Sequence, residues 1–183
     1  MNHHSLKELT EDAATDFSFV LRVIHALADK YGFDAKEAMT FCQLIDPNEV
    51  DGRGRNALHL AAQEGYRLPL FHRILGMIHN VNAVDNKGRT ALMKAARDNH
   101  LDMVVSLMNH QGIDLNVQNR YNSTALHYAV FADCPAIVAQ LVSDDRVDTS
   151  LKDKYNRTPL KYAIHNRRPE CAKILREHGA PEE

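Results

Sequence analysis

Apolar residues in this 183-residue chain form short clusters separated by polar turns, and the clusters recur at a fixed distance. Leu58, Leu92, Leu126 and Leu160 are each 34 residues apart. They anchor four superimposable segments, Asp51 to Ala62, Asp85 to Ala96, Asn119 to Val130 and Asp153 to Ile164. In each, the Leu lies three and four residues before a pair of small or aliphatic residues, the spacing of one helical face. The fourth residue is Gly54, Gly88, Asn122 or Asn156, the two residue types that best tolerate a left-handed backbone in a tight turn. Two residues on stand Asn56, Thr90, Thr124 and Thr158, whose side-chain oxygens can cap a helix N-terminus. Pro159 takes a first helical position, where its missing N–H costs nothing. The pattern therefore predicts a loop, a cap and a short inner helix.

A second helix is predicted in each unit. Pro135 and Pro169, again one period apart, fit helix starts. Val104, Val105, Leu107 and Met108, or Ile137, Val138, Leu141 and Val142, give the amphipathic pattern of an outer helix. Asn82, Asn116 and Ser150 occupy one position in the link to the next loop. Between inner and outer helices stand Gly65, Asn99, Asp133 and Arg167, so the last of these turns is expected to be distorted. Within residues 1–50, Phe17 to Tyr31 and Asp34 to Ile45 read as a helix pair, and Ile24-His-Ala-Leu-Ala28 echoes Leu58-His-Leu-Ala-Ala62 at the same period. This pair reads as a degenerate capping repeat, with 9 Asp and Glu against 4 Lys and Arg to keep one end polar.

These segments closely resemble the ankyrin repeat, whose signature runs Asp-x-x-Gly-x-Thr-Pro-Leu-His-x-Ala-Ala. The resemblance implies an all-α solenoid of stacked helix-turn-helix units with β-turn or hairpin loops. Four repeats follow at about 51–84, 85–118, 119–152 and 153–183. The family's unit is usually one residue shorter, and the extra residue is expected in the turns around Gly112 and Asp145. His59 and His127 fall at the signature His, where the family ties adjacent loops by hydrogen bonds. Met93 and Lys161 replace the other two, so that network should be incomplete.

Charge changes the picture only locally. The whole chain carries 22 Lys and Arg against 24 Asp and Glu, a balance that disfavours nucleic acid as a partner. No apolar stretch is long enough to span a bilayer, so no membrane role is expected. Cys42, Cys134 and Cys171 are odd in number, widely spaced and without a CxxC pair, which suits reduced cytosolic thiols. Cys134 precedes a helix start, where the helix dipole could lower its pKa; the plainer reading is a buried small side chain. His72 and His79 have no third ligand nearby in sequence, and His3 and His4 lie at the terminus, so neither a metal nor a cofactor is expected. The chain lacks nucleophile-elbow, P-loop, dinucleotide-binding and zincin motifs, and no enzyme is expected.

What remains is a binding face. The resemblance implies that partners meet the loop tips and exposed inner-helix residues on a concave surface. Carried onto this sequence, those positions include Arg53, Arg55, Lys87, Arg89, Arg97, Arg120, Tyr121, Phe131, Lys154, Tyr155, Arg157 and His165. Counted over all twenty such positions, eight are basic and two acidic, Glu64 and Asp98. The expected function is a monomeric, cytoplasmic, non-enzymatic module that binds a protein with an acidic or acidic-aromatic epitope. Two alternatives stand beside it: a bacterial or viral effector delivered into a host cell to bind a host factor, and an enzyme or enzyme-linked regulatory subunit with chemistry in residues 1–50. Asn116, in Ile113-Asp-Leu-Asn116, also resembles the link asparagine that hydroxylases modify in ankyrin arrays.

Overall fold

The computed structural model describes residues 46–66 and 68–182. The helix pair expected at Phe17–Tyr31 and Asp34–Ile45, with His3, His4 and Cys42, lies outside the described residues. Among the described residues eight short α-helices follow one another: α1 (Ala57–Glu64), α2 (Leu68–Leu75), α3 (Ala91–Arg97), α4 (Leu101–Met108), α5 (Ala125–Phe131), α6 (Pro135–Val142), α7 (Pro159–His165) and α8 (Pro169–Glu177). Seven to nine residues are too few for a stable helix in isolation, so stacking must supply the stability. Inner helices α1, α3, α5 and α7 pack in series, as do outer helices α2, α4, α6 and α8. Leu58, Leu92, Leu126 and Leu160 are all buried between them, and Ala61, Ala95, Ala129 and Ala163 allow the close approach of the inner layer.

Each inner helix begins as its sequence dictates. The side chains of Asn56, Thr90, Thr124 and Thr158 accept from the backbone N–H groups of His59, Met93, His127 and Lys161. The preceding loop is a β-turn in which the fourth residue donates to the carbonyl of the first, as Gly54 does to Asp51 at 2.8 Å. Gly54, Gly88, Asn122 and Asn156 all have positive φ. Successive loops join through Asn86 N–H to the Arg53 carbonyl, Arg120 to Lys87 and Lys154 to Tyr121. This row of turns, without a strand among the described residues, is the form the expected loops take.

The turns between inner and outer helices correct one expectation. Gly65, Asn99, Asp133 and Arg167 have φ of 72°, 63°, 56° and 54°. The fourth turn is therefore not distorted. It adopts the common left-handed shape, and Arg167 bears the steric cost of its Cβ there. In the turn around Gly112, where an extra residue is expected, Gly112 itself is left-handed at φ 82°.

Two ladders of side chains stitch neighbouring repeats. Nε2–H of His59 donates to the Arg89 carbonyl at 2.9 Å, and His127 does the same to Arg157 at 3.0 Å. In both, Nδ1 accepts from the backbone N–H of the helix cap, completing a capping box. Met93 and Lys161 leave the other two positions without this bond. The second ladder runs through the links. Asn82 donates to the Gly112 carbonyl and accepts from Asp114 N–H; Asn116 donates to Arg146 and accepts from Asp148. Asn48 makes the same pair of bonds to Met77 and His79. Asn48 lies 34 residues before Asn82, a signal present in the sequence but not read from it.

Candidate functional site

The loops and inner helices bring the expected contact residues onto one side of the stack, and the structure divides them by charge state. The first residue of each loop decides the division. Asp51, Asp85 and Asp153 each accept two backbone N–H bonds from their own turn through Oδ1. Their Oδ2 atoms hold Arg55, Arg89 and Arg157, each at 2.6 Å. Arg97 is likewise held by Asp98 at 2.8 Å. Four of the eight expected cations are thus neutralised inside the protein, and Arg55 is itself buried. The cations left on this face without an ion pair among the described residues are Arg53, Lys87, Arg120 and Lys154. The physical reason is that the loop aspartates belong to the same surface as the arginines four residues on.

Between repeats one and two the face is closed by a buried network. Lys94 stands where the other inner helices have Leu60, Tyr128 and Tyr162, and it is 1% exposed. Its Nζ lies 3.1 Å from Asp85 Oδ2 and 3.4 Å from Gln63 Oε1, which also accepts from Arg55 at 3.5 Å. Burial, with Arg89 nearby, pushes the Lys94 ammonium down to about 8. Burial acts against the Asp85 carboxylate too, but hydrogen bonds from Arg89 and Lys87 outweigh it and hold the group far below its ordinary range. Burial lowers His59 to about 4 and also lowers His127, so both rings are neutral in the stack near pH 7. The burial of Lys94 is not legible in the sequence, because a lysine on a helix gives no sign of burial until both neighbouring repeats are in place.

Between repeats three and four the surface is different. Tyr121, Phe131 and Tyr155 are exposed by 46%, 56% and 63%. With Ser123, Tyr128 and Tyr162 they line an open groove of about 350 Å³. Lys154 Nζ lies 4.2 Å from the centre of the Tyr121 ring and 4.8 Å from that of Tyr155. The Arg157 guanidinium lies 4.7 Å from Tyr155 and 4.6 Å from Tyr162. Cations and rings therefore alternate from Tyr121 to Tyr162. His165, at the position of Phe131 one repeat on, is exposed.

The other candidate chemistry is dispersed. Cys134 and Cys171 are buried. Burial pushes the Cys134 thiol up, against the expected pull of a helix dipole, and burial with the Asp133 carboxylate pushes Cys171 up to about 12. His72 bonds Ser106 of the next outer helix at 2.8 Å. Among the described residues no cluster of three or more His, Cys, Asp or Glu could hold a metal ion, and no helix is long and apolar enough to cross a membrane. Asn116, the expected modification site, is half-buried, with both ends of its amide engaged by the next repeat's turn and not by its own.

Comparison with known proteins agrees with this architecture. No curated protein matches the chain. A family model described as ankyrin repeats (3 copies) matches residues 23–119, 58–153 and 111–182, beginning within the helix pair expected in residues 1–50. With its recurring loops, paired helices and inter-repeat ladders, the chain belongs to the ankyrin-repeat family.

Proposed function

We propose that this ankyrin-repeat protein, a protein-interaction module, binds an acidic or acidic-aromatic surface of another protein through its loop tips and inner-helix residues. The observation that carries the reading is one face holding four cations without ion pairs together with three exposed aromatic side chains. Arg53 and Lys87 lie at exposed loop tips and act at long range; Tyr121, Phe131 and Tyr155 supply contact area. No step of the reading uses catalysis. Residues 1–50 serve as a capping repeat, a role supported by the two bonds of Asn48 and by the family match from residue 23.

The test is binding kinetics with a partner isolated by affinity capture and then purified, at two ionic strengths. Arg53→Glu with Lys87→Glu should slow association and weaken its salt dependence, as steering charges do. Tyr121→Ala should raise the dissociation rate, costing about 2 kcal/mol if it is a hot spot. Both proteins should melt at the wild-type temperature. Unchanged kinetics in both would move the site off this face.

A further inference from the structure

Loops one, two and four carry the same internal ion pair, and loop three does not. In the three alike, the fifth residue is an arginine folded back onto the aspartate at the first. In loop three those positions are Asn119 and Ser123. Asn119 keeps the turn, since its Oδ1 accepts from the N–H groups of Tyr121 and Ser123 at 2.7 and 3.0 Å. Its Nδ2, with no arginine beside it, donates to the Tyr128 hydroxyl at 2.9 Å. Where its counterparts place a guanidinium, loop three places a short hydroxymethyl group. Ser123 lines the groove together with Tyr121, Tyr128, Phe131, Tyr155 and Tyr162.

The chemistry of the groove limits what fits. Five of its ten lining residues are Tyr or Phe rings, with the Asp153–Arg157 pair and Lys154 among the rest, so a planar group that can stack is favoured inside it. A cationic guest is disfavoured, because Lys154 and Arg157 already sit against the ring faces a cation would use. Arg157 is committed to Asp153, whereas Lys154 at the rim pairs with no carboxylate among the described residues. We infer that the loss of the loop-three ion pair opens a specificity pocket. It seats one aromatic side chain of an acidic linear segment from a partner protein, with a neighbouring carboxylate on Lys154. The inference rests on the protein-binding reading above and adds to it where recognition is concentrated and which side chain is read.

Restoring the ion pair provides the test. Asn119→Asp with Ser123→Arg rebuilds the arrangement already present in three loops, so the double variant should fold and melt no lower than wild type. The probes are three fluorescein-labelled heptapeptides: one with a central Phe flanked by Glu, one with Ala for that Phe, and one with Lys for every Glu. Fluorescence anisotropy with the full chain should show the Phe–Glu peptide binding at least about tenfold more tightly than either other peptide. The double variant and Phe131→Ala should both remove that preference, while Arg53→Glu with Lys87→Glu should weaken both acidic peptides and leave their ratio unchanged. Equal binding of the Phe and Ala peptides would overturn the pocket and leave the acidic-surface reading standing. Equal binding of the Lys peptide would overturn both. Binding of no peptide at millimolar concentration, or wild-type binding by the well-folded double variant, would also overturn the pocket. So would a chain dimer, seen by sedimentation, that the double variant dissociates.

Discussion

Lys94 and Asp85 form an ion pair of 3.1 Å in which both side chains are 1% exposed. Burying a lone charge is costly, so each makes the other tolerable, while Arg89 shares the same Asp85 carboxylate and leaves the cluster one positive charge in excess. Removing one partner differs sharply from replacing the pair's cation by an apolar group. Asp85→Ala should destabilise the protein by about 3–5 kcal/mol, because it strands Lys94 and also frees two turn N–H groups. Lys94→Leu, which installs the residue found at Leu60, should change stability by less than about 1 kcal/mol, with Arg89 left to hold Asp85. Urea denaturation of both variants measures this, and equal losses would contradict it.

Acid should weaken the stack before its carboxylates titrate. His59 is held down to about 4 by burial, and His127 is lowered for the same reason, whereas in the unfolded chain both rings sit near 6.5. Between those values the unfolded state binds more protons than the folded one, so stability is complete above about pH 6.5 and falls as pH drops toward 4. Melting temperature measured from pH 7 to 4.5 should decline, and His59→Gln with His127→Gln should flatten that decline. An equal slope in the double variant would place the acid sensitivity elsewhere.

The link ladder should be worth as much as the histidine ladder. Asn116→Ala removes a donor to the Arg146 carbonyl and an acceptor for Asp148 N–H, and should cost about 1–3 kcal/mol by thermal or urea unfolding. The same two bonds should also hinder access of a modifying enzyme to the amide. Asparaginyl hydroxylation at Asn116, followed by mass spectrometry, should be slow in the intact array. It should be faster in Leu126→Ala, whose buried side chain leaves a cavity. Equal rates in both would show that the bonds do not protect Asn116.

Arg167 offers the opposite kind of change. It holds φ 54° in a turn where Gly65 holds 72°. Arg167→Gly should therefore stabilise the protein by about 0.5–1 kcal/mol, the relief of left-handed strain less the entropy cost of glycine. Gly65→Ala should destabilise it, since a Cβ there would meet the His100 ring at 2.5 Å. A lower melting point for Arg167→Gly would contradict the strain argument.

The sequence by itself determined what depends on near neighbours in the chain. The left-handed positions from Gly54 to Asn156, the caps from Asn56 to Thr158 and the buried leucines are local conformational preferences repeated at one period. They were legible because every unit obeys the same short-range physics. The neutralisation of Arg55, Arg89 and Arg157 was also local, four residues from an aspartate, and was missed by leaving the loop's first residue out of the face. Only the stack decided the rest. Lys94 is buried because repeats on both sides cover it, and the Asn82 and Asn116 amides find partners about 30 residues away. Lys154 lies over Tyr121 because the loops of adjacent repeats are bonded side by side. Such contacts join residues one period apart in the chain but adjacent in space. The period states that two units touch; the packing distance and the volume of each side chain settle which atoms meet.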